Sequence, residues 1–338
     1  MINFDYVRAT DVADAIRKIS STPTAKFIAG GTNLVDLMKD DVERPKTLID
    51  ISRLPLDKVE KTANGGLRIG SLVPNSDLSY HPLIESQYPV VASAIQAGAS
   101  QQLRNMASTG GNLLQRTRCA YFYDTATACN KRAPGSGCSA IEGLNRIHAI
   151  LGWSRSCIAV HPSDMCVALA MLDAKVHVSG PDGAREIAFA DFHRLPGETP
   201  HVDTNLGAHE IITAVELPPQ GFAKHYTYIK IRDRLSYAFA LISVAAGLEM
   251  EGDTIREARF ALGGVAHKPW RNGEAEAALS GQQASRGNFE KAAAIFLRDA
   301  KGFAHNGFKI DLARRAIIRA LTQAARGTPQ VQAIKKLR

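Results

Sequence analysis

The sequence predicts an α+β chain of two units, and three observations carry that prediction. Near the start a short apolar strand runs into a glycine turn and then a helical pattern; near the end alternating strands are followed by two amphipathic helices. Between these regions Pro218-Pro219-Gln220-Gly221 reads as a boundary. It sets units at 1–220 and 221–338, the first made of subdomains at about 1–55 and 56–220.

In chain order, Thr10 or Asp11 is placed to cap a helix over 10–20 with Val12, Ala15, Ile16 and Ile19 as its apolar positions. Lys26 to Ala29 reads as a strand, Gly30-Gly31-Thr32-Asn33 as a turn, and Leu34 to Lys39 as a helix start. Such a unit aims backbone N–H groups and a favourable dipole at one point, as pyrophosphate binding requires; a plain strand-to-helix connection gives the same letters. A second strand at 47–51 follows, then a hairpin over 59–72 turning at Asn64-Gly65-Gly66. Helical patterns cover 76–86 and 89–104, and the latter leads into Ala107-Ser108-Thr109-Gly110-Gly111-Asn112. Two glycine-pair turns of one kind can face a single ligand from two sides.

Further on, Ser163 or Asp164 caps a helix through Val167, Leu169 and Leu172, with Cys166 inside it as a core thiol. A hairpin at 175–178 and 185–189 turns about Pro181-Asp182-Gly183, and 211–217 is a strand. The second unit holds antiparallel strands at 226–232, 239–249 and 255–263, with helices at 287–299 and 309–325. The last helix places Ile310, Ala313, Ile317 and Leu321 on one face.

Composition narrows the function. At 338 residues and 45% hydrophobic, with no apolar window near the ~18 residues of a span, the chain reads as soluble, without membrane insertion. Its N-terminus has no signal-peptide pattern, so any export would be as cargo of a signal-bearing partner. Lys and Arg exceed Asp and Glu by 41 to 33, but only Lys335-Lys336-Leu337-Arg338 is clustered, which argues for an acidic partner subunit and against nucleic acid.

The loop at 115–160 carries Cys119, Cys129, Cys138 and Cys157, separated by nine, eight and eighteen residues. That length is unusual without a clamp or a function. A [4Fe-4S] cluster, a structural zinc, or two disulfides in an oxidising compartment each fit four thiols. Pro134-Gly135-Ser136-Gly137 turns the backbone before Cys138 and offers N–H groups toward sulfur. No histidine spacing suggests a metal site, and only His161, beside Ser163-Asp164, is placed near a ligand.

The segments Ile28-Ala29-Gly30-Gly31-Thr32-Asn33-Leu34 and Ala107-Ser108-Thr109-Gly110-Gly111-Asn112-Leu113, with Ser163-Asp164 and Ala261-Leu262-Gly263-Gly264-Val265-Ala266, resemble the FAD-binding subunits of molybdenum hydroxylases, the xanthine dehydrogenase and carbon monoxide dehydrogenase group. The likeness runs over essentially the whole chain. The cysteine loop, with Arg116-Thr117-Arg118-Cys119, Tyr121-Phe122-Tyr123-Asp124 and Cys129-Asn130-Lys131-Arg132, is similar to flavin subunits of the bacterial periplasmic aldehyde oxidoreductase type. The 4-hydroxybenzoyl-CoA reductase flavin subunit resembles it more distantly.

That resemblance implies a two-subdomain FAD-binding domain of the PCMH (vanillyl-alcohol oxidase-like) type, then a CO dehydrogenase flavoprotein C-terminal type domain. It implies FAD contacts from Lys26, Ile28, Ala29, Gly30, Gly31, Thr32, Asn33 and Leu34, and from Ser108, Thr109, Gly111 and Asn112 on the second side. Asp164 would bond a FAD hydroxyl or amide edge, and Lys230 would bring a cation to the isoalloxazine; an exposed strand lysine is the ordinary alternative. Cys119, Cys129, Cys138 and Cys157 would ligate a [4Fe-4S] cluster beside the FAD, while Cys166 departs from the small apolar residue of the pattern.

The implied assembly is a heterotrimer in which a large subunit oxidises aldehyde at the molybdenum cofactor. A small subunit with two [2Fe-2S] clusters would relay electrons to this FAD and on to an external acceptor, with export to the periplasm beside a signal-bearing partner. No catalytic residue is expected on this chain. A stand-alone flavin reductase would need an acid beside a substrate pocket, and a zinc-stabilised scaffold would be colourless.

Overall fold

Three short parallel strands open the chain: β1 (Asp5–Arg8), β2 (Ala25–Ile28) and β3 (Thr47–Asp50), in the order β1-β3-β2. The computed structural model describes residues 1–327; Lys335-Lys336-Leu337-Arg338 and the end of the 221–338 unit lie outside the described residues. No sequence pattern marked β1, because all its residues face solvent and none alternates into a core. Helix α1 (Val12–Ser21) crosses from β1 to β2, with the Asp11 side chain accepting from the Asp14 N–H at 2.7 Å as its cap. Helix α2 (Leu34–Lys39) follows β2 with the expected bounds.

The second subdomain is built on five antiparallel strands: β4 (Val59–Lys61), β5 (Leu67–Gly70), β6 (Lys175–Gly180), β7 (Gly183–Ala188) and β8 (Ile211–Leu217), ordered β4-β5-β8-β6-β7. The helices expected at 76–86 and 89–104 are each broken in two, into α3 (Asn75–Ser79) and α4 (Pro82–Gln87), then α5 (Pro89–Ala97) and α6 (Gln101–Met106). Pro82 has no N–H to continue a helix. Ala99 takes φ +50, and Ser100 accepts from the Leu103 N–H to start α6. Single-turn helix α7 (Thr109–Leu113) precedes the cysteines, single-turn α8 (Ala120–Tyr123) starts just after Cys119, and α9 (Asp164–Met171) and α10 (Phe189–Phe192) follow the loop. As expected, Ser163 caps α9, accepting from the Cys166 N–H at 3.1 Å. Helix α9 is buried on every side because α5 covers one face and the C-terminal sheet another.

That last sheet runs β9 (Tyr226–Ile231), β10 (Ile242–Glu251), β11 (Thr254–Gly263) and β12 (Trp270–Arg271), antiparallel in the order β12-β11-β10-β9. Helices α11 (Gly273–Ala277), α12 (Arg286–Phe296) and α13 (Phe308–Ala325) back it. Ala313, Ile317 and Leu321 of α13 are buried there, and Ile310 packs at the edge of the same core. No helix among the described residues is long and apolar enough to cross a membrane.

Lys309, also on α13, is fully buried and donates to the carbonyls of His148 at 2.7 Å and Gly264 at 2.5 Å. Burial pushes its pKa down from 10.5 to about 7. The unfolded chain therefore holds this proton more tightly, and the Lys309 contribution makes stability rise with pH between those two values. Lys309→Met is expected to flatten that rise by up to about 1.4 kcal/mol per pH unit, read by denaturant unfolding of both proteins across the window. An identical pH slope in the variant would refute it.

Candidate functional site

A cleft of about 1020 Å³ lies between the first subdomain, the second subdomain and the C-terminal sheet. Lys26, Ile28, Ala29, Gly30, Gly31, Thr32, Asn33, Leu34, Ser108, Gly111, Asn112, Asp164 and Lys230 all line it. Thr109 does not. It is buried behind the wall, where its N–H and its hydroxyl both donate to the Val73 carbonyl, at 3.0 and 2.9 Å. In a single-turn helix capped by Ser108, the first residue faces the sheet and not the opening.

The two glycine turns touch: a Cβ on Gly30 would stand 1.7 Å from the Met106 carbonyl oxygen. They are unlike in their free groups. Among the described residues, no acceptor in the chain reaches the backbone N–H groups of Gly30, Gly31, Thr32, Asn33 and Leu34. On the other side Gly110 donates to Ser71 O, Gly111 to Ser108 Oγ and Asn112 to Ser108 O. The first turn thus presents a run of unspent donors, suited to an anion, while the second is a self-satisfied wall. Asn33 is fixed by its Oδ1, which accepts from the Arg116 N–H at 2.9 Å, and its buried Nδ2 has no partner; Asn75 Oδ1, also on the cleft, is likewise unpartnered. Buried polar atoms left this way fit a polar ligand such as FAD.

At the far end Asp164 and Lys230 form a buried ion pair at 2.7 Å, their side chains 7% and 5% exposed. Asp164 also accepts from the Tyr228 hydroxyl at 2.6 Å, and Lys230 donates to the Ala97 carbonyl at 3.0 Å. Lys230 is therefore neither a solvated strand lysine nor an uncompensated cation. It ties the C-terminus of α5 to the start of α9, with Arg232 on the same carbonyl.

The four loop cysteines line one small cavity. Cys119 precedes α8, so the N–H groups of Tyr121 and Phe122 point at its sulfur. Cys129 and Cys138 face each other across a β-bridge closed by Gly135 and Gly137 at φ +86 and +104, and the Ala159 N–H lies 3.4 Å from Cys157 Sγ. None is disulfide-bonded. Burial pushes the Cys119 thiol up to about 12 and Cys157 to about 11, each raised further by its neighbouring thiols. A four-thiolate zinc needs sulfurs about 3.8 Å apart, given Zn–S near 2.3 Å. Among the described residues the sole trio of such ligand atoms within 4.8 Å is His161, Cys166 and His193, none of them in the loop. No three of the loop sulfurs lie that close to one another. The loop has its own apolar core of Phe122, Ala140, Ile158 and Ala159, packed on Leu37.

A chain of ion pairs links cleft and loop: Lys26 to Glu43 (3.0 Å), Glu43 to Arg116 (2.6 Å), Arg116 to Asp203 (2.9 Å), and Asp203 to the buried Lys131. Although burial pushes Asp203 up, Lys131 and Arg116 hold it well below the usual carboxylate range. Sequence reading also missed His148, whose Nε2 lies 3.1 Å from Cys119 Sγ, and His267, 3.9 Å from Cys157 Sγ. Burial lowers them to about 4 and about 3, so both are neutral at pH 7. His148 lies 29 positions from Cys119 in the same loop without a ligand-like spacing, and no spacing could have found His267, which comes from the C-terminal sheet region 110 positions beyond Cys157.

Together, fold and cleft define a two-domain flavoprotein type with a thiol-rich loop beside its groove. Residues 2–220 match the family described as FAD binding domain in molybdopterin dehydrogenase, and 225–324 match the CO dehydrogenase flavoprotein C-terminal domain. The chain belongs to the FAD-binding medium subunits of the molybdenum hydroxylase family, and is an oxidoreductase subunit. It is 52% identical to the aldehyde oxidoreductase FAD-binding subunit PaoB of Escherichia coli K12, over 95% of this chain and 98% of that one. It is 27% identical to the glyceraldehyde dehydrogenase medium chain of Sulfolobus acidocaldarius, over 83% and 82%. Among solved structures it superposes on carbon monoxide dehydrogenase of Hydrogenophaga pseudoflava with a TM-score of 0.76 at 23% identity, covering 97% of this chain and 99% of that chain.

Proposed function

We propose that this chain is the electron-transfer flavoprotein subunit of a molybdenum-containing aldehyde oxidoreductase. It works in a heterotrimer, with a large subunit that oxidises aldehyde to carboxylate at the molybdenum cofactor and a small subunit that delivers electrons from two [2Fe-2S] clusters. FAD, when bound, accepts those electrons and releases them to an external acceptor. The observation that carries the FAD assignment is the run of unspent N–H groups from Gly30 to Leu34 along a cleft of cofactor size. These residues, with Lys26, would hold the pyrophosphate, and Ser108, Gly111 and Asn112 would close the opposite wall. Asp164 would accept from the cofactor with oxygens already aimed by Tyr228 and Lys230.

Cys119, Cys129, Cys138 and Cys157 would hold a [4Fe-4S] cluster, and the N–H groups around them would stabilise its charge. The loop adjoins the flavin groove, since Cys119 and Asp164 line one small cavity. Supporting the aldehyde assignment is the near-full-length 52% identity to a subunit named for that reaction. Domains at 1–220 and 221–338, and delivery to the periplasm with a signal-bearing partner, complete the reading.

The test is metal and flavin content of the anaerobically purified trimer. About eight irons and one FAD are expected, as for one cubane and two [2Fe-2S] centres, with about four irons lost in Cys129→Ser. Zinc in place of those four irons would make the loop structural, and a trimer without flavin would overturn the reading. Loss of turnover in Cys129→Ser with FAD and assembly intact puts the cluster on the electron path; preserved turnover makes it a clamp.

A further inference from the structure

His161 and Cys166 flank the Ser163-Asp164 turn and have no part in the reading above. In the structure they meet His193. One ring nitrogen of each histidine and the Cys166 sulfur lie within 4.8 Å of one another. The group is buried, at 9%, 3% and 0% exposure for His161, His193 and Cys166. The two imidazoles sit with centroids 4.2 Å apart and planes at 48°.

The hydrogen bonding decides which atoms are available. His193 Nε2 lies 2.8 Å from the Leu113 carbonyl, an acceptor only, so Nε2 carries the proton and Nδ1 is a bare lone pair. Neither that Nδ1 nor His161 Nε2 has a partner among the described residues. A buried polar atom left so costs about 1–3 kcal/mol, and here two belong to rings packed around one thiol. A ring N–H donated to a backbone carbonyl, with the other nitrogen bare, is also how metal-binding histidines are oriented. The Cys166 N–H bond to Ser163 Oγ fixes the first turn of α9 and with it the thiol.

We propose that His161, His193 and Cys166 form a binding site for a single zinc-class cation on the inner wall of the cleft, separate from the four-cysteine loop. Two imidazoles and one thiolate are a ligand set for a borderline-soft d¹⁰ ion, with a fourth position open. Zn–N near 2.0 Å and Zn–S near 2.3 Å place ligand atoms about 3.3–3.7 Å apart, so the trio closes by about 1 Å through small ring rotations. His161 lines the cleft, which supplies the entry route and room for a water as fourth ligand. The site depends on neither FAD nor iron, because none of its three residues is assigned to either.

The experiment uses the assembled trimer, stripped with a chelator, equilibrated with Zn²⁺, desalted, and analysed for zinc, iron and flavin. About one zinc per chain is expected in the wild type and none in Cys166→Ala, with iron and flavin equal in the two. Alanine in the apolar interior of α9 preserves the fold, so this variant decides the matter even where His193→Ala does not assemble. Co²⁺ in place of zinc should give a thiolate-to-cobalt charge-transfer band that Cys166→Ala abolishes. Equal zinc in wild type and Cys166→Ala, no zinc in either, or a cobalt band that persists in the variant would overturn the proposal. Since flavin and iron are measured alongside, failure of the cofactor reading shows separately.

Discussion

Gly30→Ala is expected to strip the flavin from this subunit and to destabilise it by about 3 kcal/mol, the upper range for an overpacked site. A Cβ there would lie 1.7 Å from the Met106 carbonyl oxygen and 2.6 Å from its carbon. Both are backbone atoms, so no rotamer relieves the overlap, and the two turns must separate. The run of free N–H groups starts at Gly30 itself, so separation disorders the donors that the pyrophosphate needs. Gly287→Ala is the control. Its Cβ meets nothing within 4 Å inside α12, and it should keep its flavin and gain about 0.5–1 kcal/mol. The measurement is the flavin-to-protein ratio with thermal unfolding. Full flavin and unchanged unfolding in Gly30→Ala would mean that the turns are not in contact.

Lys230→Met is expected to cost about 3–5 kcal/mol, because it leaves the Asp164 carboxylate buried with the Tyr228 hydroxyl as its remaining side-chain donor among the described residues. Adding Asp164→Asn to the same chain should recover much of that loss, since no unpaired charge then remains. The pair thus predicts strong non-additivity in a double-mutant cycle of unfolding free energies. Additive losses would show that the two charges do not depend on each other. Flavin content should fall in Lys230→Met as well, because Asp164 loses the partner that aims it into the cleft.

Much of this architecture is legible in short-range pattern. The bounds of α2, the hairpin at Asn64-Gly65-Gly66, β8 and the buried face of α13 all follow from period, turn residues and caps within a few positions of each other. The gathering of the two glycine turns and Asp164 along one cleft followed instead from the family resemblance. Where the local signal was absent or overridden, reading failed: β1 is exposed on both faces, and Ala99 breaks a helical stretch by taking φ +50.

What the sequence by itself determined is the fold class, most of the elements and, Thr109 apart, the residues that line the cleft. Only the tertiary structure decided how those residues are committed. Thr109 spends both donors on Val73, Lys230 is neutralised by Asp164 from 66 positions away, and packing brings His193 against His161 and Cys166. A hydrogen bond or ion pair joins whatever packing brings opposite, and packing partners lie far apart along the chain. Period and spacing record only which way a residue faces its own element, so they reveal the wall of a site but not which of its atoms are free.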